Sequence, residues 1–156
     1  MSYLATTRFN TKTWYENCIW RVKNNYEGCI YGTPVRISEQ YLPTTKMYVL
    51  EMNNDKNKIQ GIGLIKNLIV IGKKHKIYDD GNYNRYTYKG TRRISRKELS
   101  IEDKKIIRIL DILLFKGSRH LKRGQGIKVV PKWIGNNTSF DFIKFFKELF
   151  RKSKLK

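Results

Sequence analysis

Met47 to Val70, MYVLEMNNDKNKIQGIGLIKNLIV, decides how the chain is read. Two apolar, β-prone arms, Met47–Asn53 and Ile59–Val70, flank the polar turn Asn54–Lys58, which is the composition and spacing of a hairpin. Gly61 and Gly63 inside the second arm predict a sharply bent strand, as at the corner of a barrel. Further strands follow on either side. Tyr3–Phe9 alternates weakly and reads as a first strand, while Gly28–Ile37 (GCIYGTPVRI) is β-rich but broken by Gly32 and Pro34, as in a bulged or edge strand. The turn Asp79–Asn82 leads into Tyr83–Tyr88, where Tyr86 and Tyr88 share one face and Arg85 and Thr87 the other. Ile127–Val130 is a last short strand, ended by Pro131.

Three helices are expected around this sheet. Thr13 and Glu16 have capping-box spacing, so a helix should run from Thr13 to about Lys23, with Trp14 and Cys18 on one face and Asn24-Asn25 as its stop. Ser100 is an N-cap with Glu102 and Asp103 near the positive end of the dipole, and Gly117 is the C′ residue of a helix ending near Lys116. Its apolar positions Ile106, Ile107, Ile109, Leu110, Leu113 and Leu114 exceed one stripe, leaving Lys104, Arg108 and Asp111 on the other side. Asn137, Thr138 or Ser139 should cap a terminal helix near 139–151 that packs Phe142, Ile143, Phe146, Leu149 and Phe150 into the core. Arg151 to Lys156 reads as a frayed basic tail. The expected fold is one α+β domain over residues 1–150, a curved, mainly antiparallel sheet or partial barrel packed by two or three helices.

The 156 residues carry 33 Lys and Arg against 13 Asp and Glu, a formal charge of +20 that repels itself unless a polyanion is near. Residues 1–50 hold six basic and three acidic side chains, so +17 falls on residues 51–156. Ten Tyr, seven Phe and three Trp separate the chain from a disordered polycation. Two cysteines, Cys18 and Cys29, and no secretory apolar segment at the N-terminus point to an intracellular, reducing setting. The longest apolar runs fall far short of the roughly 20 residues that span a bilayer, so no membrane span is expected.

Three basic clusters stand out: Lys73, Lys74 and Lys76; Arg92, Arg93, Arg96 and Lys97; and the loop Phe115–Ile127, FKGSRHLKRGQGI. The loop sets Lys116, Arg119, His120, Lys122 and Arg123 among Gly117, Gly124 and Gly126, suiting a backbone that closes on phosphate oxygens. It follows the helix that the Arg92–Lys97 cluster precedes, so both helix ends could face one polyanion. Trp20 and Tyr86 are candidates for stacking on a base, at about 1–3 kcal/mol per base. Other chemistries are poorly supplied. Cys18, Cys29, His75 and His120 lack the close pairing of a zinc site. Either cysteine with His120 is formally a nucleophile and base, but small buried cysteines are the ordinary explanation. Glu51, Asp55, Asp79 and Asp80 are the carboxylates outside the expected helices that a nuclease would need to gather a cation, yet Asp79-Asp80-Gly81 has turn chemistry. A non-catalytic nucleic-acid-binding protein, DNA or RNA, with neither cofactor nor metal, is expected. The competing expectation is a structural or packaging protein that binds genome or acidic protein partners without a selective site.

Gly61-Ile62-Gly63-Leu64-Ile65 after a hairpin resembles the PUA-like superfamily, which includes EVE and YTH domains, over about residues 13–70. That resemblance implies a basic-rimmed barrel with an aromatic pocket for a nucleobase, often a modified one, with Trp20 as the pocket aromatic. In composition, and in GTRRISRKEL and FKGSRHLKRGQG, the chain is also similar to basic proteins of large AT-rich DNA viruses. This second resemblance implies a viral protein of the infected cell or the virion.

Overall fold

The computed structural model describes residues 1–134 and 140–154. Among the described residues the elements follow one another as β1 (Ser2–Phe9), α1 (Thr11–Lys23), β2 (Cys29–Thr33), β3 (Lys46–Asn53), β4 (Lys58–Lys66), β5 (Tyr86–Gly90), β6 (Arg92–Ser95), α2 (Ile101–Phe115), β7 (Lys128–Val129) and α3 (Phe142–Lys154), and residues 132–134 are also helical. Short 3₁₀ turns at Gly81–Asn84 and Arg96–Glu98 precede β5 and α2. Met47–Lys66 forms the expected hairpin, although its second arm stops at Lys66 and not at Val70.

The hairpin is the middle of a five-stranded sheet of order β6-β4-β3-β1-β7. β1 lies parallel to β3 and every other pairing is antiparallel. β2 and β5 pair separately as a two-stranded antiparallel sheet. The fold is therefore α+β with a mostly antiparallel sheet, and no closed barrel forms among the described residues. β3 is buried along its length apart from Lys46, because layers cover both faces. Tyr48, Leu50 and Met52 point to α2 and α3, with Ile107, Leu110, Leu114, Phe146 and Phe150. Met47 and Val49 point the other way, with Ala5, Phe9 and Ile65, to the small sheet and α1. This alternation is the two-residue period of a strand in a three-layer stack.

Local chemistry sets the helix ends. Asn10, not Thr13, is the N-cap of α1: its side chain accepts from the Thr13 backbone at 2.8 Å while the Thr13 hydroxyl takes the Asn10 N–H at 3.0 Å. Asn also caps well, and here the box is filled by Asn10 and Thr13. Glu16 is released to accept the Asp79 N–H at 2.8 Å. Ser100 caps α2, accepting from the Asp103 N–H at 3.1 Å, and Gly117 follows with φ +79°. The expected caps Asn137, Thr138 and Ser139 lie outside the described residues. Arg151–Lys154 continues α3 and is not a frayed tail, because Arg151 pairs with Glu148 and the Ser153 hydroxyl bonds the Phe150 carbonyl at 3.0 Å.

Gly61 and Gly63 serve space and not a barrel corner. Neither has positive φ. A methyl on Gly63 would collide with the Tyr31 hydroxyl and Cys29, and one on Gly61 with Arg93, Glu51 and the Ile94 carbonyl. Gly63→Ala should cost about 1–3 kcal/mol in urea unfolding, as overpacking does. Gly81→Ala, where a methyl meets nothing within 4 Å, should lie within about 0.5 kcal/mol of wild type.

Candidate nucleic-acid interface

Glu51 stands on β3 where the alternation of Met47 and Val49 calls for another apolar side chain, and it is 1% exposed. A lone buried carboxylate is prohibitively costly. Arg93, two strands away on β6, reaches across β4 over Gly61 and grips it with two nitrogens, Nε at 2.9 Å and Nη2 at 2.6 Å. The Tyr31 hydroxyl donates to the second carboxylate oxygen at 2.7 Å. Burial and the neighbouring Glu51 charge hold the Tyr31 phenol well above its ordinary range, and the same two causes push the Cys29 thiol up to about 12. Both stay protonated.

Above this pair opens a cleft of about 930 Å³. α1 supplies Trp14, Cys18 and Arg21 on one side; the hairpin supplies Lys56, Lys58 and Gln60; Arg96, Lys97 and the α2 residues Lys104 and Arg108 close the other side. With Arg93, eight cationic side chains line it against one carboxylate, Glu27. Arg93 is committed to Glu51 and Arg96 to Asp111 at 2.8 Å. Arg21 is braced by the Asn17 side-chain oxygen at 3.0 Å, with its guanidinium 5.6 Å from the Trp14 ring centre. The side chains of Lys56, Lys58, Lys97, Lys104 and Arg108 bond none of the described residues. Five unspent cations facing one concavity present the chemistry that an anion of several charges would meet.

Of the sequence candidates, Arg93, Arg96 and Lys97 line this cleft and the others lie elsewhere. Arg92 turns away to donate to the Phe150 carbonyl and the Ser153 hydroxyl, anchoring α3. Of its cluster, Lys97 alone keeps a free, exposed charge. The two ends of α2 are separated by the length of a 15-residue helix, roughly 22 Å, so its flanking clusters do not converge. In the loop, Lys116, Arg119 and Arg123 are exposed, Arg119 lies over Trp133, and His120 Nδ1 accepts the Lys122 N–H at 3.2 Å. The loop touches the cleft only indirectly, through the hairpin turn, where Asn54 donates to the Lys122 carbonyl at 2.8 Å. Lys73, Lys74 and Lys76 are exposed around the buried His75. That imidazole packs edge-on to Trp20, and burial with Lys89 and Lys73 nearby keeps its pKa below the usual value. Trp20 also meets Tyr26 edge-on, and Tyr86 carries Arg36 and Arg85 over its ring.

Sequence reading placed Lys104 and Arg108 together on the polar side of α2 and Trp14 with Cys18 on one face of α1. It could not see that these faces oppose each other, nor that Arg21, Lys56 and Lys58 complete the lining. Among the described residues no three His, Cys, Asp or Glu side chains gather in a way that could hold a metal, and no helix is long and apolar enough to cross a membrane. No family model, curated protein or solved structure matches this chain.

Glu51→Ala strands the Arg93 charge and should cost about 3–5 kcal/mol in chemical unfolding. Replacing both partners, as Glu51→Leu with Arg93→Leu, should recover much of that loss; a double variant worse than the sum of the singles would show that the pair is not the anchor. A disulfide reagent at pH 8 should titrate one thiol in the native protein, the half-buried Cys18, and two after unfolding, since Cys29 is both buried and held protonated.

Proposed function

We propose that this protein binds nucleic acid without catalysis, through the cleft between α1, the β3–β4 hairpin turn and α2. One observation carries the reading: eight cationic side chains and a single carboxylate line that cleft, and five of the cations have no partner within the described protein. A protein of +20 gains most by placing such unspent charge against phosphates, whose condensed counterions are released on contact. Phosphate contacts supply affinity and register but not sequence information. The exposed loop cations Lys116, Arg119 and Arg123 and the exposed Lys73, Lys74 and Lys76 extend the field that draws a polyanion in. The PUA-like likeness belongs to the same proposal, with Trp20 and its neighbour Tyr26 as the aromatic surface beside the cleft. A viral setting, in which a genome is the polyanion, is compatible with it.

Fluorescence anisotropy with labelled nucleic acid across a salt series tests the reading. Wild type should lose on the order of a thousandfold in affinity between 50 and 200 mM salt if six or more phosphates are met. Lys97→Ser, Lys104→Ser and Arg108→Ser combined should flatten the slope of log K against log salt by about two to three units, weaken every sequence by a similar factor, and leave the melting temperature unchanged. A slope and affinity equal to wild type would overturn the cleft as the site. An acidic protein that binds more tightly than nucleic acid at matched salt would replace this function with the packaging one.

A further inference from the structure

Arg21, Lys58 and Lys104 are half-buried in the cleft, whereas Lys56, Lys97 and Arg108 are exposed. Arg21 belongs to the α1 side, Lys104 and Arg108 to the α2 side, and Lys56 and Lys58 to the hairpin between them. A duplex is a convex rod whose major groove, about 12 Å wide, receives a protruding helix or β-ribbon. This surface offers the reverse shape, a hollow flanked by two helices. A volume of about 930 Å³ is at the upper end of clefts that enclose a small molecule, so it takes a short run of one strand and not a double helix. A single phosphodiester chain inside it meets positive charge from both sides at once, whereas a duplex resting on the rim meets only the outermost cations.

The hollow also offers surfaces that suit unpaired bases. Gln60 presents a side-chain amide with no bond to described residues, able to meet base edges. Tyr26 stands half-buried in the lining, its hydroxyl donating to the Gly90 carbonyl at 2.8 Å, so the ring is held before any ligand arrives. Lys89 Nζ lies over its ring, 4.7 Å from the centre, and Trp20 meets it edge-on. Ring faces accept any base, and paired bases inside a duplex cannot reach them.

We infer that the cleft selects a single strand over a duplex, its phosphates running between the opposed cations and an unpaired base stacking at Tyr26. This rests on the proposed nucleic-acid function and narrows it. The test titrates wild-type protein with labelled 15-nucleotide oligo-dT and oligo-U and with a 15-base-pair DNA duplex at matched salt. Single strands should bind at least tenfold more tightly, and Tyr26→Leu should weaken them roughly five- to a hundredfold while leaving duplex binding unchanged. Tyr26→Phe, which keeps the ring but loses its anchor to the Gly90 carbonyl, should bind single strands more tightly than Tyr26→Leu; a thermal melt of each variant separates lost stacking from lost folding. Equal or tighter duplex binding, still weakened by the Lys97, Lys104 and Arg108 changes, would overturn strand selection while leaving the proposed function standing. Binding of neither form would overturn both. Strand preference intact with a folded Tyr26→Leu indistinguishable from wild type would overturn the stacking site.

Discussion

A buried carboxylate on the central strand is the constraint to which much of this structure answers. Glu51 cannot remain charged on β3 without a cation, and the cation it receives stands two strands away. Strand spacing of about 4.8 Å puts β6 nearly 10 Å from β3, so the Arg93 side chain must cross β4. It can cross only where β4 has no side chain, at Gly61. Gly63, one step further on the same face, makes the room in which Tyr31 and Cys29 complete the enclosure. Hairpin, edge strand and small sheet are thereby tied at one point. An apolar trio in the same place would hold the layers together as well or better. The ion pair adds registry, because Glu51, Gly61 and Arg93 meet only when β3, β4 and β6 are aligned as observed.

The same pair explains how so high a charge is distributed. Not every arginine is available for a partner: Arg93 is taken by Glu51, Arg96 by Asp111, and Arg92 by the end of α3. Arginine suits these interior duties because its planar fork satisfies two acceptors at once. Lysines, more strongly hydrated and without that fork, are left to the cleft wall and the outer surface. Structural arginines thus build the cleft, and mostly lysines charge it. The division gives a chain of +20 a folded interior in which buried charges are paired and an exterior whose repulsion a polyanion would relieve.

Much of the architecture was legible in the sequence. The hairpin, the strand at the N-terminus, the Ser100 cap, the Gly117 stop and the buried face of α3 all follow from local rules, namely period-two alternation, capping geometry and positive φ, which act within a few residues. The charge excess and the wealth of aromatics likewise need no structure to suggest a folded partner of polyanions. What local rules could not decide was which of several equivalent groups would be used. Asn10 and Thr13 are both good caps, and only the path of β1 into α1 chooses between them. GIG reads as a bend because glycine is best known for backbone freedom, yet here it is wanted for its missing side chain, a demand made by Glu51, 10 positions from Gly61, and by Arg93 and Tyr31, each 32 positions from the glycine it meets.

Charge clusters show the same limit from the other direction. Arg92 and Arg93 are neighbours in sequence and part company in space, because adjacent strand residues face opposite layers, whereas Arg93 and Arg96 line one cleft but are each spent on a carboxylate. Arg21, Lys56, Lys58, Lys104 and Arg108 are scattered in sequence and share one cleft, because three elements from different parts of the chain converge over the Glu51–Arg93 pair. Side-chain chemistry and net charge are properties of composition, so the sequence by itself determined a chain rich enough in apolar and aromatic residues to fold and carrying a formal charge of +20. Where the unspent charges meet depends on the order of strands in the sheet and the packing of helices upon it. Those long-range contacts have no signature in residue spacing, and the tertiary structure alone decided them.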